Sequence, residues 1–349
     1  MGIIDQYKRL RSEAYLKETY EGEYAFVGMG QHSLSNLYPV IHYLQIPLKY
    51  ICVTSEGKAA LIGKKFRGVI GTTDLDAVLK DPEIRGVFVA ASPKAHYAIA
   101  KKVLESGKAM FVEKPPCGSA AELEELIDAQ GGAGGKNAQS IAVAGLQKRY
   151  APAVRILKKK LSAEKLLNYD LHYCTGAYPE GSALLDLYIH PIDLVCHLFG
   201  KAEIVSNVKI GSNSILLTLK HEKITGTLEL STEYGWTDAR ETLAVNTAIG
   251  LYRLDGTDNL TLELKPAVVA GIPLEKIGLG KGGTKVLFSR NSFSPILKEN
   301  PVYTQGFFDE VRNFAERTQG RKADALSDLD SLLDTYSIIT SLSQDQGLR

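Results

Sequence analysis

The chain has 349 residues, a formal net charge of +1, 44% hydrophobic residues and 23% charged residues, which is ordinary for a globular protein. Its length exceeds what one hydrophobic core usually takes, so two domains are expected. The small net charge excludes a broad electrostatic field for nucleic acid or an anionic membrane, and no apolar run approaches the length of a membrane span.

The N-terminal residues and the cysteines indicate a compartment. Met1–Tyr20 has a charged amphipathic pattern without the apolar core of a signal peptide. The four cysteines are scattered, and no two of them form a CxxC pair. These features predict a cytoplasmic protein with reduced thiols rather than a disulfide framework or a zinc site.

Strands and helices alternate from Tyr24 to about Gln147. The predicted strands are residues 24–28, 50–54, 69–71, 86–91, 109–113 and 141–147. Helices are predicted after Ser33 and at 74–80, 94–106 and 120–129, the last followed by a glycine-rich surface loop. Apolar strands that alternate with helices predict a mostly parallel, doubly wound sheet.

The pattern changes after Pro152. Helices are predicted at 152–161 and 183–199, a long loop at 271–301, and closing helices at 307–319 and 326–342. The predicted strands between them are residues 204–210, 214–220, 224–231, 243–246, 250–255 and 260–264. Short turns between consecutive strands predict an open, mainly antiparallel sheet with helices on one face. The other face needs cover, so we expect a homo-oligomer.

A glycine-containing turn joins the first strand to the first helix. It reads Gly28, Met29, Gly30, Gln31, His32 and Ser33, which matches two of the three glycines of the G-x-G-x-x-G dinucleotide fingerprint. Such glycines allow a tight turn and a close approach of the backbone to a pyrophosphate. A plain tight turn is the alternative. Ser33, in the place of the third glycine, implies looser helix packing or a hydroxyl offered to phosphate.

The end of the second strand bears on the choice of nicotinamide cofactor. An acidic residue there would bind the ribose 2′-hydroxyl of NAD. Thr54 and Ser55 are neutral, and Lys58 is near enough to favour a 2′-phosphate. This pattern favours NADP, while Glu56 leaves NAD open.

Four polar residues interrupt the apolar helix predicted at 183–199. Asp186, His190, Asp193 and His197 are spaced at i, i+4, i+7 and i+11, which places them on one helical face. Burying such groups unpaired costs roughly 2–7 kcal/mol each, so we expect them to pair with each other, with a ligand or with a metal. Pro191 predicts a kink or a new helix start beside His190. A divalent metal held by the four side chains would indicate a hydrolase, but that reading leaves the glycine turn unexplained.

Two further motifs complete an ordered set. Ser92-Pro93-Lys-Ala-His96 follows the strand that ends at Ala91, and Glu113-Lys114-Pro115 follows the fifth strand. With the glycine turn before them and Asp186-x-x-x-His190-x-x-Asp193 after them, they resemble the glucose–fructose oxidoreductase and inositol dehydrogenase (Gfo/Idh/MocA) family over most of the chain. The resemblance implies a Rossmann domain that binds NAD(P), and a C-terminal α+β domain that supplies a substrate wall and often an oligomer interface.

The resemblance assigns boundaries and cofactor residues. The implied domains are a helical extension at 1–22, the Rossmann domain at 23–149, and the substrate-binding and oligomerisation domain at 150–349. The expected cofactor-binding residues are Gly28, Gly30, Gln31, His32, Ser33, Thr54, Ser55, Lys58, Ala91, Ser92, Pro93, His96, Glu113 and Lys114.

Oxidation of a secondary alcohol requires a base for the hydroxyl proton, and the pKa of histidine suits that task. The resemblance gives His190 this role with Asp186 beside it, while Lys114 could stabilise alkoxide charge. The expected substrate-binding residues are Lys114, Lys148, Tyr173, His190 and Asp193. For His96 and His197 a helix-start position and a structural hydrogen bond are favoured.

The expected function is NAD(P)-dependent hydride transfer to or from a sugar, a polyol or a sugar derivative. The expected assembly is a homodimer or homotetramer formed through the C-terminal sheet, without a resident metal. A catalytically silent sensor or partner protein that binds the cofactor is the alternative.

Overall fold

The structure is a computed structural model that describes residues 2–132, 140–179, 181–280 and 282–346. The chain forms two compact units. The first comprises Met1–Cys117, Glu122–Gly145 and Phe308–Leu329, and the second comprises Gly118–Ala121, Leu146–Phe307 and Asp330–Arg349. A single boundary near residue 149 does not describe this division, because the segment at 308–329 returns to the first unit. No helix in these ranges is both long and apolar enough to cross a bilayer.

The first unit is built on a six-stranded sheet in which every strand pair is parallel. The strands are β1 (Glu23–Val27), β2 (Leu48–Cys52), β3 (Ile70–Thr72), β4 (Ile84–Val89), β5 (Ala109–Glu113) and β6 (Ala142–Gly145). Their order is β3-β2-β1-β4-β5-β6, so the chain winds outward in both directions from β1 and β4. This arrangement confirms the predicted doubly wound sheet.

Helices lie before and between these strands. They are α1 (Ile3–Lys17), α2 (Tyr38–Tyr43), α3 (Glu56–Lys65), α4 (Leu75–Lys80), α5 (Pro93–Glu105) and α6 (Ala120–Gly132). Before α2 lies a π-helical segment, Ser33–Leu37. The predicted glycine-rich loop after residue 129 is described only in part, because residues 133–139 lie outside the described ranges.

A C-terminal helix completes the core of the first unit. Phe88 on β4 is fully buried, and its ring centroid lies 5.7 Å from that of Phe111 on β5. The ring of Phe314, from α10 (Phe307–Thr318), lies 5.0 Å from Phe88 in an edge-to-face arrangement. Aromatic side chains bury large apolar areas, so this contact explains why a distant segment belongs to the first unit.

The second unit contains an eight-stranded sheet. Its strands are β7 (Leu166–Cys174), β8 (Ala202–Lys209), β9 (Ser214–His221), β10 (Thr225–Ser231), β11 (Arg240–Thr247), β12 (Gly250–Asp255), β13 (Asn259–Leu264) and β16 (Thr284–Ser289), and a small hairpin is formed by β14 (Val268–Val269) and β15 (Ile272–Pro273). The order is β16-β13-β12-β11-β7-β10-β9-β8. Only the pair β7 and β10 is parallel among these described strands, so the predicted mainly antiparallel sheet is confirmed.

Two strands of this sheet were not predicted. The central strand β7 has polar Asn168, Asp170 and His172 on one face and buried Tyr169 and Leu171 on the other. Its pairing with β10 and β11 joins residues far apart in sequence, which local periodicity does not reveal. β16 lies inside the segment that was predicted to be a long loop. It was missed because it is a strand only through its pairing with β13.

Helices of the second unit are α7 (Pro152–Leu161), α8 (Ile189–Phe199), α9 (Pro301–Thr304) and α11 (Leu333–Gln346). A π-helical segment, Ala183–Tyr188, precedes α8. Pro191 lacks an N–H group and cannot continue the hydrogen bonding of a preceding α-helix. The helix does not restart beside His190: the π-helical segment runs directly into α8 at Ile189, and Tyr188 at the junction keeps a right-handed helical backbone.

Candidate active site

A cleft of about 560 Å³ lies at the carboxyl ends of strands in the first unit. Its lining residues follow β1, β2, β3 and β4: Val27, Gly28, Met29, Gly30, Cys52, Val53, Thr54, Lys58, Thr73, Leu75, Ala90, Ala91, Ser92, Ala95 and Ile99. The prediction named six of them: Gly28, Gly30, Thr54, Lys58, Ala91 and Ser92. It missed Thr73 and Leu75, because the short strand before them carries no recognisable motif.

The two glycines of the turn meet different surroundings. Gly28 has a φ of +93°, and a Cβ there would lie 2.4 Å from the carbonyl oxygen of Ala90. A side chain at Gly28 would therefore collide with the neighbouring strand. A Cβ on Gly30 would meet no atom within 4 Å. The space over Gly30 is open, as close approach of a pyrophosphate requires.

The third position of the turn stabilises the turn itself. Ser33 is buried, and its Oγ accepts a hydrogen bond from the N–H of Gly30 at 3.1 Å. The same hydroxyl lies 3.2 Å from the carbonyl oxygen of Gly30, to which it can donate. The Ser33 hydroxyl is thus engaged with the backbone of the turn, and its predicted contact with phosphate stays a prediction. Gln31 is likewise engaged locally, since its side chain donates to Ser35 at 3.0 Å.

The glutamate of the Glu-Lys-Pro motif contacts the glycine turn. The Oε1 atom of Glu113 lies 3.1 Å from Nε2 of His32, and Glu113 is buried. Its Oε2 accepts a hydrogen bond from the N–H of Lys114 at 3.2 Å. Glu113 thus connects the ends of β5 and β1 and orients the backbone at half-buried Lys114.

His96 joins two of the loops at the same edge of the sheet. Its Nδ1 lies 2.8 Å from the carbonyl oxygen of Pro115, and its Nε2 lies 3.0 Å from that of Ala91. Burial lowers the pKa of His96, so the ring is neutral near pH 7. Both ring nitrogens face backbone carbonyls, and a neutral ring can donate a hydrogen bond to only one of them at a time. These contacts agree with the favoured structural role of His96, and its predicted contact with the cofactor stays a prediction.

Three side chains at the start of α3 have distinct partners. The Oγ of Ser55 caps the helix by accepting from the N–H of Lys58 at 3.3 Å, so it serves the backbone. Glu56 accepts a hydrogen bond from Thr73. Within the described ranges, the ammonium of Lys58 has no carboxylate partner and lines the cleft.

A second cavity, of about 340 Å³, lies within the second unit. Its lining residues are Gln147, Lys148, Tyr173, His190, Glu241, Asp255, Gly256, Thr257, Asp258 and Gln305. It brings together Lys148, Tyr173 and His190, which the sequence suggested separately. The prediction missed Glu241 and the turn after β12, because these residues become neighbours only through strand pairing.

The polar wall of this cavity is organised around Lys148. Its Nζ lies 2.5 Å from Oε2 of Glu241 and 5.1 Å from the ring centroid of Tyr173. The side chains of Lys148 and Glu241 are only 14% and 15% exposed. Burial raises the pKa of Tyr173, so its hydroxyl keeps its proton near pH 7 and can donate or accept a hydrogen bond.

The predicted polar face of the 183–199 helix is not formed as one stripe. Asp186 lies in the π-helical segment, where its Oδ2 accepts from the N–H of Ser182 at 2.7 Å, and it lines a small cavity of about 70 Å³. His190, on α8, lines the larger cavity of about 340 Å³. The widened π-helical turn changes the angular spacing that was assumed between these two residues.

Asp193 is held by a buried arginine. Its two carboxylate oxygens lie 2.9 Å from Nε and 2.5 Å from Nη2 of Arg149, and both side chains are 3% exposed. Thr335 on α11 donates a further hydrogen bond to Asp193 at 3.2 Å. The expectation that Asp193 binds substrate is therefore wrong, because its oxygens are occupied inside the core.

His197 also lies in surroundings of its own. Its ring nitrogens are 3.3 Å from Nζ of Lys158. Burial, together with the charges of Lys158 and Arg149, lowers the pKa of His197 to about 3, so the ring is neutral at pH 7. Across the described ranges, no group of three or more His, Cys, Asp or Glu side chains is placed to hold a metal ion.

Comparison with known proteins bears on the first unit. Residues 23–136 match the family model described as an oxidoreductase family with an NAD-binding Rossmann fold, GFO_IDH_MocA. Over these residues the chain is similar to the Gfo/Idh/MocA oxidoreductases. The predicted family resemblance is thereby confirmed.

Several curated relatives match this chain over part of their length. It is 29% identical to the uncharacterized oxidoreductase YhhX of Escherichia coli (strain K12), over 39% of this chain and 41% of that protein. It is 26% identical to inositol 2-dehydrogenase of Salmonella typhimurium (strain LT2), over 42% of this chain and 44% of that protein. The matched segments thus span less than half of these curated relatives.

A structural comparison extends the likeness to both units. A dehydrogenase from Chromobacterium violaceum has a TM-score of 0.77 and 20% identity, and the match covers 94% of this chain and 96% of that one. The C-terminal sheet therefore belongs to a fold shared with that dehydrogenase.

Replacing Asp193 by Asn should destabilise the second unit. It would leave the buried Arg149 guanidinium without its counter-charge, and breaking a buried pair typically costs about 3–5 kcal/mol. The matched control is Glu263→Gln, which removes the same charge from an exposed ion pair with Arg253. Exposed ion pairs typically contribute about 0–1 kcal/mol to the free energy of unfolding. Calorimetry should show a clear fall in unfolding temperature for Asp193→Asn alone. Equal small effects would mean that the buried pair contributes little.

Proposed function

We propose that this protein is an NAD(P)-dependent oxidoreductase that transfers a hydride between nicotinamide and a secondary alcohol or ketone of a sugar, polyol or sugar derivative. One observation supports it above the others. A Rossmann unit that matches the Gfo/Idh/MocA family model, with an open cleft over Gly30, is combined in one chain with a cavity lined by Lys148, Tyr173 and His190. The name of the inositol 2-dehydrogenase relative supports a polyol.

The residues of the first cleft fit a dinucleotide. The open space over Gly30 suits a pyrophosphate, and apolar Val53, Leu75 and Ile99 offer surface to an adenine ring. The His96 ring lies between the carbonyl oxygens of Ala91 and Pro115, next to the loop at Ala91 and Ser92 that lines the cleft. When bound, the nicotinamide supplies or accepts the hydride.

The chain's own residues handle the proton. We assign His190 as the group that takes the hydroxyl proton during oxidation and returns it during reduction. Histidine is the residue type whose ordinary pKa lies near neutral pH, which suits a general acid and base. Lys114 donates a hydrogen bond to the same oxygen and stabilises developing negative charge. Asp186 supports the charged form of His190. These roles rest on the family pattern and on the chemistry of the side chains.

Lys148 and Tyr173 bind substrate hydroxyl groups in this proposal. The Lys148 ammonium has three donors, of which Glu241 takes one. A protonated Tyr173 offers both a donor and an acceptor. A polyol needs such mixed partners, since each of its hydroxyl groups both donates and accepts.

Gly30→Val should abolish cofactor binding and leave the fold intact, because the new side chain would fill the open space and clash with no protein atom near its Cβ. Fluorescence titration with NADH and NADPH measures binding, and circular dichroism measures folding. The control is Gly63→Val on the exposed part of α3, which should bind normally. Unchanged affinity in Gly30→Val would contradict the assignment of this turn.

NADPH should bind more tightly than NADH, because Lys58 faces the cleft and can pair with a 2′-phosphate. Lys58→Gln should weaken NADPH binding about tenfold, or about 1.4 kcal/mol, and change NADH binding little. Lys64→Gln, on the exposed face of the same helix, is the control. Tighter NADH binding that is lost in Glu56→Gln would instead assign the ribose to Glu56.

Lys114→Ala and His190→Ala should each lower kcat by about 10²–10⁴-fold, as expected for a positioned acid or base. Cofactor affinity should stay nearly unchanged, and the losses should be less than additive in the double variant, because the groups act as a unit. Asp186→Asn should shift the pH profile of kcat. His42→Ala, exposed on α2, is the control.

Full activity in His190→Ala would place the base elsewhere. Bound cofactor without turnover on any polyol or sugar would favour the alternative of a catalytically silent sensor.

We propose a homodimer or homotetramer formed through the outer face of the eight-stranded sheet. The cross-strand neighbours Val208 and Leu216 are 52% and 41% exposed there. Light scattering at micromolar concentration should give a multiple of the 38.1 kDa chain mass, and Leu216→Glu should reduce it. A monomeric mass for the unaltered chain would contradict this assembly.

A further inference from the structure

The cavity of the second unit is rich in carboxyl groups. Glu241, Asp255 and Asp258 line it, whereas Lys148 is the one lysine or arginine among its described lining residues. Asp258 forms an ion pair with Arg290, whose Nε lies 3.0 Å from its Oδ2. Arg290 is not among the residues that line the cavity. The cavity therefore presents more acceptors than free positive charge.

The positive charge of Lys148 is already neutralised by the protein. Oε2 of Glu241 lies 2.5 Å from Nζ of Lys148, and the Tyr173 ring covers the ammonium at 5.1 Å. Both charged side chains are mostly buried, so solvent screens this pair less than it screens a surface pair. An anionic ligand would have to compete with Glu241 for Lys148 at close range.

Glu241 has a second oxygen to offer. Its Oε1 is buried and has no hydrogen-bond partner among the described residues. A buried acceptor without a donor carries a desolvation cost, which a bound donor can relieve. A substrate hydroxyl supplies such a donor, whereas an ionised phosphate or carboxylate oxygen does not.

We propose that Glu241 determines the charge selectivity of this cavity. It restricts the substrate to an uncharged polyhydroxy compound by neutralising Lys148 and by accepting a hydroxyl hydrogen bond at Oε1. Sugar phosphates and sugar acids are rejected, because they would place a negative charge beside an unpaired carboxylate oxygen. This inference rests on the proposed function and narrows its substrate class.

Two substitutions should move selectivity in opposite directions. Glu241→Gln keeps the shape of the side chain and exposes the charge of Lys148, which should favour anions. Lys148→Gln removes the cation and leaves Glu241 uncompensated, which should increase the rejection of anions. Glu263→Gln, which removes a carboxylate from an exposed pair on β13, is the control and should leave selectivity unchanged.

The test uses the full chain with saturating NADPH or NADP and three matched pairs: D-glucose with D-glucose 6-phosphate, D-glucose with D-glucuronate, and myo-inositol with its 1-phosphate. Binding is followed by thermal shift, and kcat/KM by the absorbance of reduced cofactor. The unaltered protein should prefer the uncharged member at least about tenfold. Glu241→Gln should reduce that preference at least about tenfold, and its affinity for the phosphates should fall with added salt.

Several results would overturn the proposal. Equal or better binding of the phosphates by the unaltered protein would do so, as would the same selectivity in Glu241→Gln and Glu263→Gln. A shift of the same sign in Glu241→Gln and Lys148→Gln would exclude a charge effect. Binding of NADPH without binding of any of these compounds would overturn the substrate class and leave the cofactor site standing, whereas loss of NADPH binding itself would overturn the proposed function.

Discussion

The carboxyl edge of the six-stranded parallel sheet is the constraint on which the proposed cofactor site depends. Parallel strands bring their carboxyl ends to one edge, so loops distant in sequence become neighbours there. Glu113, after β5, reaches His32 beside the glycine turn, and His96 joins the loops at Ala91 and Pro115. A Cβ on Gly30 would meet no atom within 4 Å, so the space over this residue is open at the same edge. The motif residues thus serve largely to shape one another's backbone.

In the second unit, a buried ion pair between Arg149 and Asp193 positions the residues of the candidate substrate cavity. Arg149 is next to Lys148 in sequence, and Asp193 lies one helical turn after His190 on α8. The contact between Arg149 and Asp193 therefore fixes the turn that carries Lys148 against the helix that carries His190. Because the pair is nearly inaccessible to solvent, either partner alone would be an uncompensated charge in the core. The ion pair with Arg149 therefore gives Asp193, three residues after His190, a structural role that needs no contact with the substrate.

Much of this arrangement follows from local sequence patterns. Apolar strands between helices predict the parallel sheet, and the ordered motifs predict the residues at its edge. Long-range pairing was beyond such patterns: β7 alternates polar and buried residues, and its partners are β10 and β11. The partner of Asp193 was also hidden, because Arg149 is 44 residues away in sequence. Glu241 carries no motif at all and becomes recognisable only beside Lys148.

The central claim is direct hydride exchange between the nicotinamide and a carbonyl carbon of a polyhydroxy compound. The most direct test is reduction of a panel of inososes and keto sugars with NADPH and NADH that carry deuterium at C4 of the nicotinamide ring, followed by mass spectrometry of the products. We expect one deuterium in a carbon-bound position that does not exchange with water, and its absence in the Gly30→Val protein. Reduced product without deuterium from either C4 stereoisomer, or no product despite bound cofactor, would contradict the account.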